Sequence, residues 1–300
     1  MTRPVKHYKM TTWVYLQMAI YAILDVRELD QIFISYVWIY MSWQNQHIMW
    51  KSEDFCGLDK VVVPLATLWT PDLTIEEMTE KDKAPPSPYL TILENGEVEY
   101  RNDQVLVSTC KMQVYKFPFD IQRCTLSFKS AVYSDDEIKF EAILDESKIT
   151  EWSYDAMRTQ SEWLFINLTV NHKTVKSFDY NQSLIVYTIS MRRRSALYIV
   201  NFLLPVLFFL CLDLASFLIS DSGGEKLSFK VTVLLAVTVM QLLLNEILPS
   251  SSDRIPLIAI YCIGSFSLMM LSLLETILVM YLISKDSQDN EPLEDQSLSE

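Results

Sequence analysis

The chain has 300 residues, half of them hydrophobic, and its 38 acidic and 25 basic side chains give a formal net charge of −13. This acidic excess argues against nucleic acid as a partner, because phosphate binding requires an excess of Lys and Arg. There are five glycines, and neither the three histidines nor the five cysteines have metal-ligand spacing, so we expect no enzyme activity, no cofactor and no metal site.

The first 24 residues fit two interpretations. Three basic residues, Arg3, Lys6 and Lys9, precede an apolar stretch at 13–24, which is typical of a signal peptide. The same stretch fits an edge strand, and Asp25 follows it without a small-residue cleavage site. These residues by themselves leave both interpretations open.

Residues 11–190 predict many short strands. Alternating and β-rich stretches are separated by turn signals such as Asn95-Gly96 and Pro85-Pro86. This pattern predicts an antiparallel, immunoglobulin-like β-sandwich. The clearest stretches are 32–40, 90–92, 105–109, 124–128 and 184–190.

Two features of this half indicate that it lies outside the cell. Cys110 and Cys124 bracket thirteen residues, and a disulfide between them would persist in an extracellular environment. Closing a loop of about fifteen residues stabilises a fold by roughly 3 kcal/mol in the chain-entropy model. Asn167 and Asn181 each begin a glycosylation sequon, which also favours an extracellular face.

Three long apolar runs follow residue 195 and predict helices at about 196–219, 227–248 and 256–283. At a rise of about 1.5 Å per residue, each is long enough to cross a hydrocarbon core of about 30 Å. Asp213, the single charge in the first run, should face protein or water. We therefore predict three regions: an extracellular domain at 1–194, a transmembrane helical bundle at 195–285 and a polar, acidic cytoplasmic tail at 286–300.

The second apolar run carries a stripe of regularly spaced residues. Six of them recur every three or four positions, so they lie along one face of a helix. In five copies around an axis they would form a hydroxyl-lined throat, an apolar constriction and an acidic outer ring. The alternative is a polar stripe that packs against neighbouring helices. The six residues are Ser228, Thr232, Leu235, Val239, Leu242 and Glu246.

Four segments resemble signature segments of one family. They are the loop CKMQVYKFPFDIQRC at 110–124, the segment WTPD at 69–72, the arginine triplet at 192–194 and the segment GEKLSFK at 224–230. Together they resemble the Cys-loop receptors, which are pentameric neurotransmitter-gated channels, and most of all their type 3 serotonin group. Residues 11–26 resemble the first strand of that group, which favours the strand over the signal peptide.

The resemblance implies a ten-stranded sandwich, four membrane helices and a five-fold pore. The chain has three of the four helices, which suggests a truncated isoform, an incomplete gene prediction or a trimmed chain. Glu225 and Glu246, at the inner and outer ends of the pore helix, imply cation selectivity. The resemblance implies a protein that crosses the plasma membrane several times. A postsynaptic membrane is the narrower location that it allows. The implied partners are other receptor subunits, membrane lipid, permeant sodium and potassium ions, and a small amine neurotransmitter such as serotonin.

The family binds its agonist between neighbouring extracellular domains, and the resemblance divides the pocket into two faces. On the principal face, Ala131 stands where the family has a central Trp, unless the alignment slips and Tyr133 replaces it. The other expected residues of this face are Glu76, Glu77 and Tyr180.

The complementary face resembles the family more fully. Trp38 matches a family Trp, Tyr40 replaces an Arg, and Trp163 also fits, although a core position is the alternative for Trp38. We therefore expect an accessory, serotonin-type subunit that works in heteropentamers and cannot provide the principal agonist face. The alternatives are a truncated, non-conducting interaction protein and a related subunit gated by acetylcholine or zinc.

The resemblance also implies a coupling path from the disulfide loop to the pore. The apolar tip of that loop should meet the short connection between the second and third membrane helices. The acidic residue after the tip should pair with one of two arginines directly before the first membrane helix. The residues concerned are the tip Phe117, Pro118 and Phe119, the acid Asp120, the arginines Arg193 and Arg194, and Pro256 in the connection.

Overall fold

A computed structural model describes residues 2–80, 86–160, 162–177, 180–218, 225–247 and 254–289. The chain divides into two compact units. The sheet unit comprises Met1–Gln113 and Asp120–Arg194, and the helical unit comprises Val114–Phe119 and Ser195–Glu300. Each unit is described separately below.

The described part of the sheet unit contains twelve strands, one α-helix and two short 3-10 helices at Ser52–Phe55 and Leu65–Thr67. The helix, α1, spans Glu146–Ala156. The strands are β1 (Thr12–Arg27), β2 (Ile32–Gln44), β3 (Lys60–Pro64), β4 (Leu73–Ile75), β5 (Met78–Glu80), β6 (Tyr89–Leu93), β7 (Glu97–Thr109), β8 (Ile121–Ser130), β9 (Ile138–Ala142), β10 (Thr159–Gln160), β11 (Trp163–Ser177) and β12 (Tyr180–Arg193).

The strands form two sheets, as the sequence predicts. The larger sheet has the order β10-β1-β2-β7-β6-β3, with β9 added to β1 and β5 added to β7, and the smaller sheet has the order β11-β12-β8-β4. Neighbouring strands are antiparallel except for β9 and β10, which run parallel to β1. The strand number exceeds the expected ten because strands as short as two or three residues, such as β5 and β10, contribute to it.

The core of the sheet unit follows from the alternation of apolar residues along its strands. In β2, buried and half-buried side chains alternate from residue 32 to residue 41, as a period of two requires for a strand with one core-facing side. Trp43 is fully buried, and the hydroxyl of Tyr187 in β12 donates a 2.9 Å hydrogen bond to the carbonyl of Leu16 in β1. Residues 13–24 lie within β1, so this stretch is a strand. It is not an edge strand, because β1 pairs with β2 on one side and with β9 and β10 on the other.

The disulfide and one hairpin turn are placed as the sequence predicts. Cys110, directly after β7, is bonded to Cys124 in β8, so the disulfide links the two sheets. Gly96 has a φ of +85° in the turn between β6 and β7, and a Cβ there would lie 2.5 Å from the carbonyl oxygen of Ile48. Glycine is required at this position because the backbone conformation and the close approach both exclude a side chain.

Within its described residues, the helical unit has three helices that are long and apolar enough to cross a membrane. The first span is Ala196–Leu218, and it includes a π-helical turn at Ile199–Leu203 just before Pro205. The second span is Glu225–Ile247 and the third is Leu257–Asp289. The third helix extends beyond the predicted residue 283, so residues 286–289 of the expected polar tail are helical.

Candidate functional site

The second span has two distinct faces. Lys230, Val233, Val237 and Leu244 are buried against the rest of the helical unit. The predicted stripe occupies the other face, and all of its members are exposed, with Leu235 and Leu242 near 63% and 64%. Among the described residues, the stripe therefore does not pack on the other two helices, which argues against the alternative of a helix-packing stripe. The exposed residues are Glu225, Ser228, Thr232, Leu235, Val239, Leu242 and Glu246.

Lys230 anchors the buried face of the second span. Its ammonium donates hydrogen bonds to the carbonyl oxygen of Ser272, at 3.1 Å, and to the hydroxyl of the same residue in the third span. The nitrogen also lies 4.1 Å from the ring centroid of Phe217 in the first span, at cation–π distance. The sequence analysis assigned no role to Lys230, which lies two positions after Ser228 and therefore off the stripe.

The tip of the disulfide loop packs into the helical unit. Phe117 is buried in a cluster that includes Leu244 and Ile258, and its ring meets the ring of Tyr198 edge-to-face at 4.9 Å. Pro118 is also buried, whereas Phe119 is 58% exposed, so two of the three predicted tip residues are buried. The predicted coupling residues are therefore brought together in part.

The connection between the second and third spans lies largely outside the described residues. Its last residue, Pro256, is half-buried, and its carbonyl accepts the N–H of Ala259 in the first turn of the third span. The N–H of Leu257 donates a 2.9 Å hydrogen bond to the carbonyl of Tyr115 in the disulfide loop. The start of the third helix is thus hydrogen-bonded to the loop tip.

Arg193 lies at the centre of a buried charge cluster in the sheet unit. Its Nε is 2.9 Å from Oδ1 of Asp120, and its Nη2 is 3.2 Å from Oδ2 of that carboxylate. Nη2 also donates to Oε1 of Glu28, and Nη1 lies 3.9 Å from Glu162. Arg194, the alternative partner, is exposed and donates its backbone N–H to the carbonyl of Glu162.

The electrostatics of Arg193 show how the cluster compensates for burial. Burial alone would lower the pKa of Arg193, but the hydrogen bond and charge of Asp120, followed by those of Glu28, raise the pKa above its ordinary value. The guanidinium is therefore charged at every physiological pH. A charge with no exposed surface is tolerated here because two buried or nearly buried carboxylates and their hydrogen bonds surround it.

The position of Trp163 corrects one prediction. Its side chain is 2% exposed and belongs to the sandwich core, so it does not reach a surface where an agonist could bind. Trp163 and Arg193 are paired across β11 and β12, and the guanidinium carbon lies 4.2 Å from the indole centroid. Trp163 thus covers one face of the buried arginine, because the cross-strand register places the two side chains together.

The other two complementary-face residues lie on the outer surface of the larger sheet. Trp38 is half-buried there, so it is not a core residue, and its ring stacks at a tilt on Tyr21 with centroids 5.0 Å apart. The hydroxyl of Tyr40 donates a 3.0 Å hydrogen bond to Glu99. Burial, followed by this hydrogen bond and the charge of Glu99, raises the pKa of Tyr40 to about 12.

The predicted principal-face acids are held by other groups. Glu77 accepts hydrogen bonds from the backbone and hydroxyl of Ser127 and from the hydroxyl of Thr125. Glu76 is paired with Lys129. Glu77 therefore acts as a structural acceptor beside β8, and Glu76 lies in an ion pair at the surface.

The aromatic positions of the principal face are sparse. Ala131 is exposed, and Tyr133 meets the core residue Trp69 edge-to-face with ring centroids 6.2 Å apart. The guanidinium of Arg3 lies 5.8 Å from the ring centroid of Tyr133. Tyr180 is 38% exposed at the start of β12, and the two residues before it are outside the described part of the chain.

The two sequon asparagines differ in accessibility. Asn181 is exposed, and its backbone carbonyl accepts the N–H of Asp135. Asn167 is half-buried beside the irregular register between Phe165 and Asn167 in β11. The geometry therefore favours Asn181 over Asn167 as an acceptor of a glycan.

The comparisons with known proteins define the class. Residues 1–195 match the neurotransmitter-gated ion-channel ligand binding domain, and residues 202–298 match the neurotransmitter-gated ion-channel transmembrane region. The chain therefore belongs to the family of neurotransmitter-gated ion channels, whose members are not enzymes.

Several receptor subunits of this family are similar to the chain over most of its length. The chain is 31% identical to 5-hydroxytryptamine receptor 3A of Cavia porcellus, over 97% of this chain and 60% of that protein. It is 33% identical to 5-hydroxytryptamine receptor 3E of Homo sapiens, over 97% of this chain and 63% of that protein. It is 31% identical to neuronal acetylcholine receptor subunit alpha-9 of Homo sapiens, over 93% of this chain and 57% of that protein. The chain thus spans about 60% of the length of these relatives.

The Arg193 cluster generates a stability prediction. Asp120→Asn should lower the free energy of unfolding by about 3–5 kcal/mol, because it leaves a buried guanidinium with one charged partner fewer. Glu162→Gln is the matched control: its carboxylate is 60% exposed and 3.9 Å away, so its loss should cost less than about 1 kcal/mol. Chemical unfolding of the purified full chain measures both values, and equal losses for the two variants would contradict the assignment.

Proposed function

We propose that this chain is a subunit of a pentameric, cation-selective channel gated by a small amine, serotonin being the first candidate. The observation that carries the proposal is the exposed stripe of the second span, whose opposite face is buried in the chain's own helical unit. The stripe carries hydroxyls and carboxylates, which are costly to expose to lipid. Such a surface therefore has to face water in a pore or contact other subunits around a common axis. The proposed location is the plasma membrane, and the more specific proposal is the membrane of a synapse.

The order of residues along the stripe supports cation conduction. Glu225 and Glu246 lie at its two ends and are exposed, so rings of carboxylates would attract sodium and potassium ions at both mouths. Leu235, Val239 and Leu242 lie between them, and a ring of these aliphatic groups can close a pore by excluding water. The hydroxyl of Thr232 donates a 2.8 Å hydrogen bond to the carbonyl of Ser228, which keeps it satisfied within the helix.

Ion selectivity tests this proposal. Channels formed by this chain with 5-hydroxytryptamine receptor 3A should show reversal potentials that follow sodium when external sodium is diluted. Glu225→Lys and Glu246→Lys should move the reversal potential toward that of chloride, because each reverses the charge of a ring at a pore mouth. Glu275→Lys is the control, since Glu275 is exposed on the third span. The proposal fails if the unmutated channels follow chloride, or if Glu275→Lys has the same effect.

The extracellular residues support an accessory role. Ala131 offers no aromatic face for an ammonium group, and Tyr133 is engaged with Trp69 and Arg3. On the other surface, Trp38 and Tyr40 line an open groove. We propose that a neighbouring subunit supplies the principal agonist face and that this chain supplies the complementary face in mixed pentamers.

Restoring the missing aromatic tests the accessory role. Assemblies of this chain alone should bind serotonin weakly, and Ala131→Trp should strengthen binding by about 2- to 30-fold, which is the value of a cation–π contact of about 0.5–2 kcal/mol. Val132→Trp is the matched control because Val132 is the adjacent exposed residue. Radioligand binding to membranes carrying the full chain measures the effect. Strong serotonin binding by the unmutated chain alone would overturn the role.

One observation favours a second candidate agonist. Identity to the acetylcholine receptor subunit alpha-9 is 31%, the same as identity to 5-hydroxytryptamine receptor 3A. Acetylcholine is therefore the alternative, and applying both agonists to the same mixed channels separates the two. A non-conducting role for the chain predicts that the lysine substitutions at the stripe leave every current unchanged.

A further inference from the structure

A cavity of about 280 Å³ lies between β9 of the larger sheet and strands β11 and β12 of the smaller sheet. Phe140 of β9 and Ser183 of β12 both line it. The backbone N–H of Phe140 donates a 3.2 Å hydrogen bond to the hydroxyl of Ser183, which joins the two sheets at this point. Among the described residues that line the cavity, none belongs to either expected agonist face. The cavity is therefore separate from the sites considered above.

One wall of the cavity carries two opposite charges on a single strand. Lys139 and Glu141 are two positions apart on β9, so their side chains leave the same face with Cα atoms about 6–7 Å apart. The strand register pairs Lys139 with Trp13 of β1. The ammonium of Lys139 lies 5.6 Å from the ring centroid of Trp13, at cation–π distance, and forms no ion pair with Glu141.

The remaining walls add a second pair of charges. His172 and Lys173 of β11 line the cavity and are exposed, and Asp135 lines it from the turn before β9. The cavity thus presents two ammonium groups and two carboxylates. Within the described part of the chain, none of these four groups forms an ion pair. Charges of both signs select a ligand that carries both signs, because a simple anion or cation would meet repulsion as well as attraction.

We propose that this cavity binds a small zwitterion whose ammonium and carboxylate groups lie several ångströms apart, as in an ω-amino carboxylate. Lys139 would donate to the ligand carboxylate, and Glu141 would accept from the ligand ammonium. The methylene chain between the two groups would lie against Trp13, whose side chain is 46% exposed. An α-amino carboxylate, whose two charges share one carbon, could not reach both groups without drawing Lys139 away from Trp13.

The dimensions of the cavity limit the ligand further. Its volume is at the small end of the range of ligand pockets in proteins, so it suits a molecule of about ten non-hydrogen atoms. Lys173 and Asp135 lie on different elements from Lys139, so the bound molecule would contact both sheets. All of these residues belong to one chain, so binding requires neither a pore nor an agonist face of a neighbouring subunit.

The test compares 6-aminohexanoate with hexanoate, which lacks the ammonium, and with norleucine, an isomer with adjacent charges. Saturation-transfer NMR titrations of the full chain in lipid nanodiscs give a dissociation constant for each probe. 6-Aminohexanoate should bind about three- to fivefold more tightly than either of the others, the effect of one exposed ion pair. Glu141→Gln should bring 6-aminohexanoate and hexanoate to equal affinity, because both then lack an ammonium partner on this wall. Lys139→Gln should weaken both probes together, because both use the carboxylate.

Two control variants make the outcome decisive. Lys60→Gln and Glu53→Gln each remove an exposed charge that does not line the cavity, so they should leave all affinities unchanged. No binding of 6-aminohexanoate, or equal binding of hexanoate or norleucine to the unmutated chain, would overturn the proposal. A preference for 6-aminohexanoate over hexanoate that survives Glu141→Gln would overturn it as well. Each of these results leaves the channel function standing, because ion selectivity is measured separately.

Discussion

The rotation of the second span is set by one buried ammonium group. Lys230 cannot lie in an apolar bundle without partners, and the oxygens of Ser272 and the ring of Phe217 meet that requirement on one side of the helix. Successive side chains of a helix are separated by a fixed angle. When the Lys230 side of the helix faces the bundle, the stripe that contains Leu235 therefore faces away from it. The exposed surface of the second span is thus a consequence of where Lys230, on its opposite side, is bound.

The sheet unit depends on a comparable arrangement around Arg193. Two carboxylates compensate for its burial, and the indole of Trp163 covers its face. This site adjoins the chain segment that leads into the first span, and Asp120 directly follows the loop tip. Removing a charge there would leave the buried guanidinium of Arg193 with an incomplete set of partners inside the sheet unit.

Local patterns were sufficient to predict much of this structure from the sequence. Strand alternation, the turn at Gly96 and the long apolar runs depend on neighbouring residues, and the disulfide follows from two cysteines in one short loop. Trp163 was misassigned because its position depends on cross-strand register with Arg193, which a motif does not reveal. Lys230 was missed for a similar reason: its partners Ser272 and Phe217 lie on the other two spans, and their approach depends on helix packing.

The central claim is that the exposed face of the second span lines a water-filled pore, and residue-by-residue accessibility tests it most directly. Leu235→Cys, Leu242→Cys and Val237→Cys would be introduced into a chain whose exposed Cys56 and Cys211 are replaced by Ser. Agonist-evoked currents of mixed channels would then be recorded with a charged thiol reagent applied outside. The account predicts block at positions 235 and 242 and none at the buried position 237. Equal modification at all three positions, or modification at 237 alone, would contradict it.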